Sequence, residues 1–308
     1  MTLLSGSRFG LRMAKEVTFG TIPTSVSFST VRLTDSDLNL KFDSLQSNEI
    51  RSDRQIASFR HGMKTVEGSV GVELIVGAHT ALWSSALAAD WTGGTGAWVL
   101  KTGTTLDTYS YERVFADGPF YDVLMGCACN GVDISITPDK IATAKFSLIG
   151  QTAAAMQATT FSTTGVFAAG TTQPCDAFTG SLTEGGSSVA VVTAIEIKLA
   201  NGRKTEGVVG SRVSPAIFEG TCNVSGTVTA LFENATLYNK FVNETESAIV
   251  VNLTDGSTGT ISFTLPKVKY GTGNFAIPKE GPITLQMEFQ ALYDSVTSST
   301  LTINSNHT

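Results

Sequence analysis

The chain has 308 residues, enough for two domains that each bury a core of their own. Only 16% of the residues are charged, and the formal net charge is −6. That balance, with no clustering of Lys and Arg, excludes a protein that grips nucleic acid through its phosphates.

Residues 1–20 set Arg8, Arg12 and Lys15 against Glu16 among apolar residues of no clear period. This predicts an arm ordered by contact with something else. Residues 26–42 alternate well enough for one or two strands. Residues 43–61 are polar, and their charges, Glu49, Arg51, Asp53, Arg54 and Arg60, nearly balance. A connection this long is normally functional or disordered. From Val66 the period is two, with Val66, Gly68, Val70, Val72, Leu74 and Val76 on one face. Glu67, Ser69 and Glu73 lie on the other, so one face is buried and one is wet. Gly77 breaks the strand. Residues 79–90 then predict a short helix, striped by the pairs Leu82 with Ala86 and Trp83 with Leu87. Strands are predicted over 98–101, 109–115, 121–127 and 141–149, with turns at Thr102-Gly103, Asp117-Gly118 and Asn130-Gly131. Residues 151–176 are rich in Ala, Thr and Gly and read as a linker that packs along a surface.

The second half repeats the order. Val224, Gly226, Val228, Ala230 and Phe232 alternate with Asn223, Ser225, Thr227 and Thr229. A helix follows from Asn234, a good N-cap, to Glu244, striped by Leu237, Tyr238, Phe241 and Val242. Strands at 249–253 and 260–265 flank Asp255-Gly256, and residues 283–292 form the last strand. Residues 295–308 are rich in Ser, Thr and Asn and are predicted to be loosely ordered.

Two short stretches recur. Leu38-Asn-Leu-Lys-Phe42 reappears as Ile195-Glu-Ile-Lys-Leu199, an offset of 157. Gly62-Met-Lys-Thr-Val-Glu-Gly68-Ser-Val70 reappears as Gly220-Thr-Cys-Asn-Val-Ser-Gly226-Thr-Val228, an offset of 158. The chain therefore divides into an arm (1–20), a first domain (21–150), a linker (151–177), a second domain (178–294) and a tail (295–308).

Catalytic chemistry finds no constellation. Cys127, Cys129, Cys175 and Cys222 form no disulfide framework, and Cys-x-Cys alone is a weak metal signal. His61, His79 and His307 stand in no ligand spacing. No Gly-x-Ser-x-Gly elbow occurs, and the Gly-rich run from Trp91 to Gly96 lacks the Lys of a phosphate loop. Neither a cofactor nor a metal is expected. No apolar run is long enough for a signal peptide or a membrane span. On residues 43–60 the arginines read either as a solvated surface or as forks that bind carboxylates of a neighbouring subunit.

Several segments carry a specific resemblance. They are Gly6-Ser-Arg-Phe-Gly10, Lys15-Glu-Val-Thr-Phe-Gly-Thr-Ile-Pro23, Ser47-Asn-Glu-Ile-Arg-Ser-Asp-Arg-Gln-Ile56, the strand from Val66 to Leu74, the Trp83…Trp91 helix, and Phe146-Ser-Leu-Ile-Gly150. Together they resemble the major tail tube proteins of long, non-contractile-tailed bacteriophages. The likeness covers the first half directly and the second mostly through the repeat. It implies a mainly β fold of two tandem β-sandwich or barrel tail-tube domains, each with one short flanking helix and a long inter-subunit loop. It also implies a virion protein, made and assembled in the host cytoplasm, that builds stacked rings with itself. Two domains per chain favour trimers over hexamers.

The implied partners are the tape-measure protein and tail terminator or distal tail proteins, with DNA passing through the lumen without specific binding. On this reading Glu49, Arg51, Asp53, Arg54 and Arg60 are inter-subunit loop contacts. Arg8, Phe9 and Arg12 are arm contacts, and Glu67, Glu73, Asn223 and Thr227 face the lumen. The competing expectations are another ring-forming virion component, such as a completion or decoration protein, and a secreted β-rich adhesin.

Overall fold

The computed structural model describes residues 4–25, 27–178, 180–188 and 191–307. The first three residues of the expected arm, the last of the expected tail, and Val26, Thr179, Val189 and Ala190 lie outside the described residues. The first half forms β1 (Phe9–Lys15), β2 (Phe28–Val31), β3 (Asn39–Gln46), β4 (Phe59–Glu73), α1 (Thr80–Leu87), β5 (Ala97–Lys101), β6 (Tyr109–Phe115), β7 (Phe120–Ile136) and β8 (Thr143–Gly150). The second half forms β9 (Ser181–Glu184), β10 (Val192–Ala200), β11 (Asn223–Leu231), α2 (Thr236–Val242), β12 (Ser247–Thr254), β13 (Thr260–Tyr270), β14 (Asn274–Ala276), β15 (Thr284–Ala291) and β16 (Thr302–Ser305).

The period-two pattern becomes two-faced strands. In β8, Ala144, Phe146 and Leu148 are buried while Thr143, Lys145 and Ser147 are exposed. In β15, Leu285, Met287 and Phe289 are buried against exposed Gln286, Glu288 and Gln290. Such strands lie side by side in the order β3, β4, β8 and the second part of β7. The order recurs as β10, β11, β15 and then the end of β13 with β14. Because β7 also pairs with β10, from Ile136↔Ile195 to Gly131↔Ala200, the two sets make one continuous antiparallel sheet.

A second layer covers its apolar face. In the first half it comprises β2, β1, β6 and the first part of β7. In the second it comprises β9, β12, the first part of β13, β16 and β5. One core cluster runs through both halves. Trp83 of α1 sits in it, 4.8 Å from the Phe146 ring and 5.6 Å from the Phe263 ring.

The repeat is written into the pairing, including its irregularities. The β3–β4 pairing slips by one residue between Phe42 and Ser44, and β10–β11 slips likewise on passing to the short pair Lys204–Thr205 with Ile217–Phe218. The slip of β6–β7 between Tyr109 and Tyr111 matches that of β12–β13 between Ser247 and Ile249. The slip of β7–β8 at Ser147/Leu148 has its counterpart between the pairs Leu285↔Phe275 and Phe289↔Tyr270.

A glycine marks the same crossing in both copies. A Cβ on Gly68, at φ +147°, would lie 2.5 Å from Leu38 Cα, and one on Gly226 would lie 2.2 Å from Glu196 O. Gly68 faces Leu38 and Gly226 pairs with Ile197. Leu38 therefore corresponds to Ile197, two residues beyond the match suggested by the aligned stretches.

Other expectations need correction. The segment read as an arm is, over Phe9–Lys15, a strand between β2 and β6, with Leu11 fully buried. Asn130-Gly131 is not a turn: β7 runs straight through it, and the pair marks a bulge. The tail is ordered as well. Its strand β16 pairs with β13 on one side and with β5 of the first half on the other, burying Leu301 and Ile303. Phe232, expected on the buried face of β11, is 39% exposed. The helix placed from Asn234 begins at Thr236, whose N–H donates to Asn234 Oδ1. The stretch read as a linker lies along the surface, with Thr152–Ala153 paired to β7 and Val166–Phe167 parallel to β2.

Candidate assembly interface

The continuous sheet has a polar face formed by the outward members of every strand. One row crosses it in register as Glu73, Thr143, Ser135, Glu196, Thr227 and Glu288. The next row holds Lys145, Asp133, Lys198, Ser225 and Gln290, so opposite charges stand directly across neighbouring strands. All four residues assigned to a lumen, Glu67, Glu73, Asn223 and Thr227, lie on this one face. Lys41 Nζ donates to Glu67 at 2.9 Å, and that bond raises the lysine's pKa. Asn223 Oδ1 accepts from Gln290 Nε2 at 2.6 Å. Asp37 accepts from the Ser69 N–H and hydroxyl, which hold its carboxyl below the usual range.

Both edges of this sheet are open. Among the described residues β3 pairs only with β4, and β14 only with β15. An open edge presents unpaired backbone groups and invites another strand. Apolar side chains gather at both borders: Phe42, Leu45 and Phe59 are exposed beside β3, and Phe232, Phe275, Ile277 and Ile283 are exposed beside β14. Phe275 packs edge-to-face on Phe232 and tilted against Tyr238, with centroids 5.0 and 5.2 Å apart. These apolar borders escape a reading of the sequence based on charges; the signal that could have found them is a hydrophobic residue in a segment otherwise polar.

The β3–β4 hairpin runs on to Gln46↔Phe59 and carries the predicted loop. At its end Arg51 forks onto Asp53 at 2.7–3.3 Å, with Glu49 3.9 Å away. The arginine fork thus finds its carboxylate within the same loop. Arg54 takes the left-handed conformation (φ +59°), and Arg60 stands exposed opposite Leu45. Ile50 is fully exposed and Ile56 is 67% exposed. The arm residues are engaged inside their own chain: Arg8 pairs with Asp117 at 2.7 Å, Arg12 with buried Glu112 at 2.9 Å, and Phe9 packs on Phe115.

Potentially reactive groups are mostly packed away. Cys127, Cys129 and Cys175 are fully buried, and burial pushes the Cys129 thiol up to about 12 and that of Cys175 to about 11. Cys222 is exposed. Among the described residues no group of three or more His, Cys, Asp or Glu could hold a metal, and no helix is long and apolar enough to cross a membrane.

A two-layer β protein whose main sheet has a charged, wet face and two unpaired, apolar-rimmed edges is built to join copies of itself. The chain belongs to the phage tail tube protein family, whose sequence pattern it matches over residues 6–291. It is a structural component of the phage tail. No curated protein matches the chain in sequence.

Proposed function

We propose that three copies close into a pseudo-sixfold ring, and that the rings stack into the tube through which phage DNA reaches the host. The observation that carries this reading is the continuous sheet with both edges open. Joined edge to edge around an axis, such sheets become a barrel without free edges, and the closing rotation fits a head-to-tail interface. Each half would act as one tube domain, over 21–150 and 178–294, so a single chain supplies two of six equivalent positions.

The polar face of the sheet would line the lumen, with Glu67, Glu73, Asn223 and Thr227 looking inward. Glu196, Glu288 and Asp133 add to it, against Lys145 and Lys198. A carboxylate-rich wall repels a polyanion and lets DNA slide without adhering. Residues 43–60, tipped by Ile50 and Ile56, would reach the adjacent ring. The tape-measure protein would fill the lumen before ejection, with terminator and distal tail proteins capping the ends and assembly taking place in the host cytoplasm.

Negative-stain microscopy of the purified protein tests this reading. Tubes with a regular axial repeat, and end-on views with threefold symmetry, are expected. A protein that stays monomeric at every concentration would overturn it.

A further inference from the structure

The seam inside one chain also specifies the seam between chains. Resting on the tube reading, we propose that β3 of one copy pairs antiparallel with β14 of the next, with Asn39 facing Asn274 and Leu38 facing Phe275. In the same contact, the base of the β3–β4 hairpin covers the neighbour's helix α2.

The register follows from equivalences already fixed by the pairing. Leu38 takes the place of Ile197, since each lies opposite the glycine of the next strand. Beyond that glycine, Leu148 faces Gly68 and Phe289 faces Gly226, so β8 and β15 are aligned as well. Ile134 faces Ala144 and Phe275 faces Leu285, which aligns the second part of β7 with β14. Inside the chain these strands meet as Ile197↔Ile134 and Lys198↔Asp133. Carried to the two open edges, those pairs become Leu38↔Phe275 and Asn39↔Asn274. The edge geometry agrees. Asp37 N–H bonds Ser69 O, so the odd-numbered residues turn their backbone groups toward β4, and Leu38 and Leu40 turn theirs outward.

An asymmetry between the helices supplies an independent observation. In the first half, the chain leaving β10 folds back over α1. Asn201 Nδ2 donates to Ala86 O at 2.9 Å and to Cys129 O at 3.1 Å, and Arg203 Nη1 donates to Ser85 O at 2.9 Å. Helix α1 is accordingly buried from Leu82 to Leu87. Helix α2 has no buried residue, and Val242 is 57% exposed. The counterpart of the covering segment is the chain leaving β3, and in this copy it projects away with Leu45 and Phe59 exposed. What covers α1 from within is the same element that α2 lacks and that an adjoining copy would bring.

Cross-linking tests the register. In a Cys222→Ser background, chains bearing Asn39→Cys and Asn274→Cys together should oxidise into covalent oligomers after assembly. Facing residues that do not bond each other across an antiparallel pair have Cα atoms about 4.5 Å apart, within disulfide reach. Either single variant should give no such ladder, and an equal mixture of the two should stop at dimers. In the unmodified protein, the amides of Leu40 and Phe275 should become protected from hydrogen exchange on assembly. That measurement holds even if the cysteine variants misfold. Cross-linking of Lys41→Cys with Asn274→Cys instead, or amides at both edges that stay unprotected in intact tubes, would overturn this register while leaving the tube reading standing. A chain that never assembles would remove both.

Discussion

Trp83 lies 5.6 Å, centroid to centroid, from Phe263, so the helix of the first half packs directly onto the covering layer of the second half. Phe146 packs edge-on against the same indole, centroids 4.8 Å apart. The two halves therefore share core as well as backbone pairing, and they should unfold together.

Trp83→Ala should cost about 3–5 kcal/mol, the range for deleting a buried aromatic and leaving a cavity. Urea unfolding of the dissociated chain, followed by far-UV dichroism, should show one transition at a lower midpoint. A loss near zero, or two separate transitions in the unaltered chain, would contradict the shared core.

Acid should weaken the fold through His79. Its ring is half-buried near Arg32, and desolvation first, then that charge, lowers its pKa from 6.5 to about 4. The unfolded chain takes up a proton as pH falls through 6.5, whereas the folded chain resists until about 4. Stability is therefore full above 6.5 and declines between 6.5 and 4, by about 3.5 kcal/mol at about 1.4 kcal/mol per pH unit. Asn is among the residues that tolerate the left-handed φ of +59° at this position. His79→Asn should flatten the decline between pH 7 and 4.5, measured by urea midpoints. Parallel pH profiles for the two proteins would refute the assignment.

The loop tip should matter for stacking and not for folding. Ile50→Asp combined with Ile56→Asp alters side chains that are 100% and 67% exposed. The folded chain should keep its stability within about 0.5 kcal/mol. Sedimentation and microscopy should show rings that no longer build long tubes, and tubes of ordinary length would count against an inter-ring role.

Charge on the polar face should govern adhesion of DNA. Glu73→Lys, Glu196→Lys and Glu288→Lys sit in one row across the sheet. Their triple replacement should give tubes that retain short DNA on pelleting at low salt and release it as salt rises. Unaltered tubes should retain none. Equal retention by both would place this face away from the lumen.

Much of the architecture was legible because alternation is a local signal. Val66 to Val76 and Asn223 to Ala230 announce their buried and wet faces residue by residue, and the helix at 79–90 announces itself by its i,i+4 pairs. The order of elements in each half follows from the repeat. Alternation has a blind spot, however: sliding a strand by two residues leaves every side chain on its original face. That is why the aligned stretches matched Leu38 with Ile195, while the glycine contacts match it with Ile197.

The candidate assembly surface was less legible than the fold. Charges drew attention to Arg51, Asp53 and Arg12, yet these meet partners inside the chain. The exposed apolar border of Phe275 and Ile277 was passed over because it carries no charge, although both residues stand in a segment otherwise rich in Gly, Asn, Pro and Lys.

The sequence by itself determined a duplicated, two-faced β chain with two short helices, because side-chain period and turn chemistry act between near neighbours. Only the tertiary structure decided that β1 and β16 are strands, that β7 joins β10, and which two edges stay open. Those outcomes depend on hydrogen bonds between segments up to about two hundred residues apart (Lys101 with Thr302, for one). A lone strand carries no sign of the neighbour that will complete it.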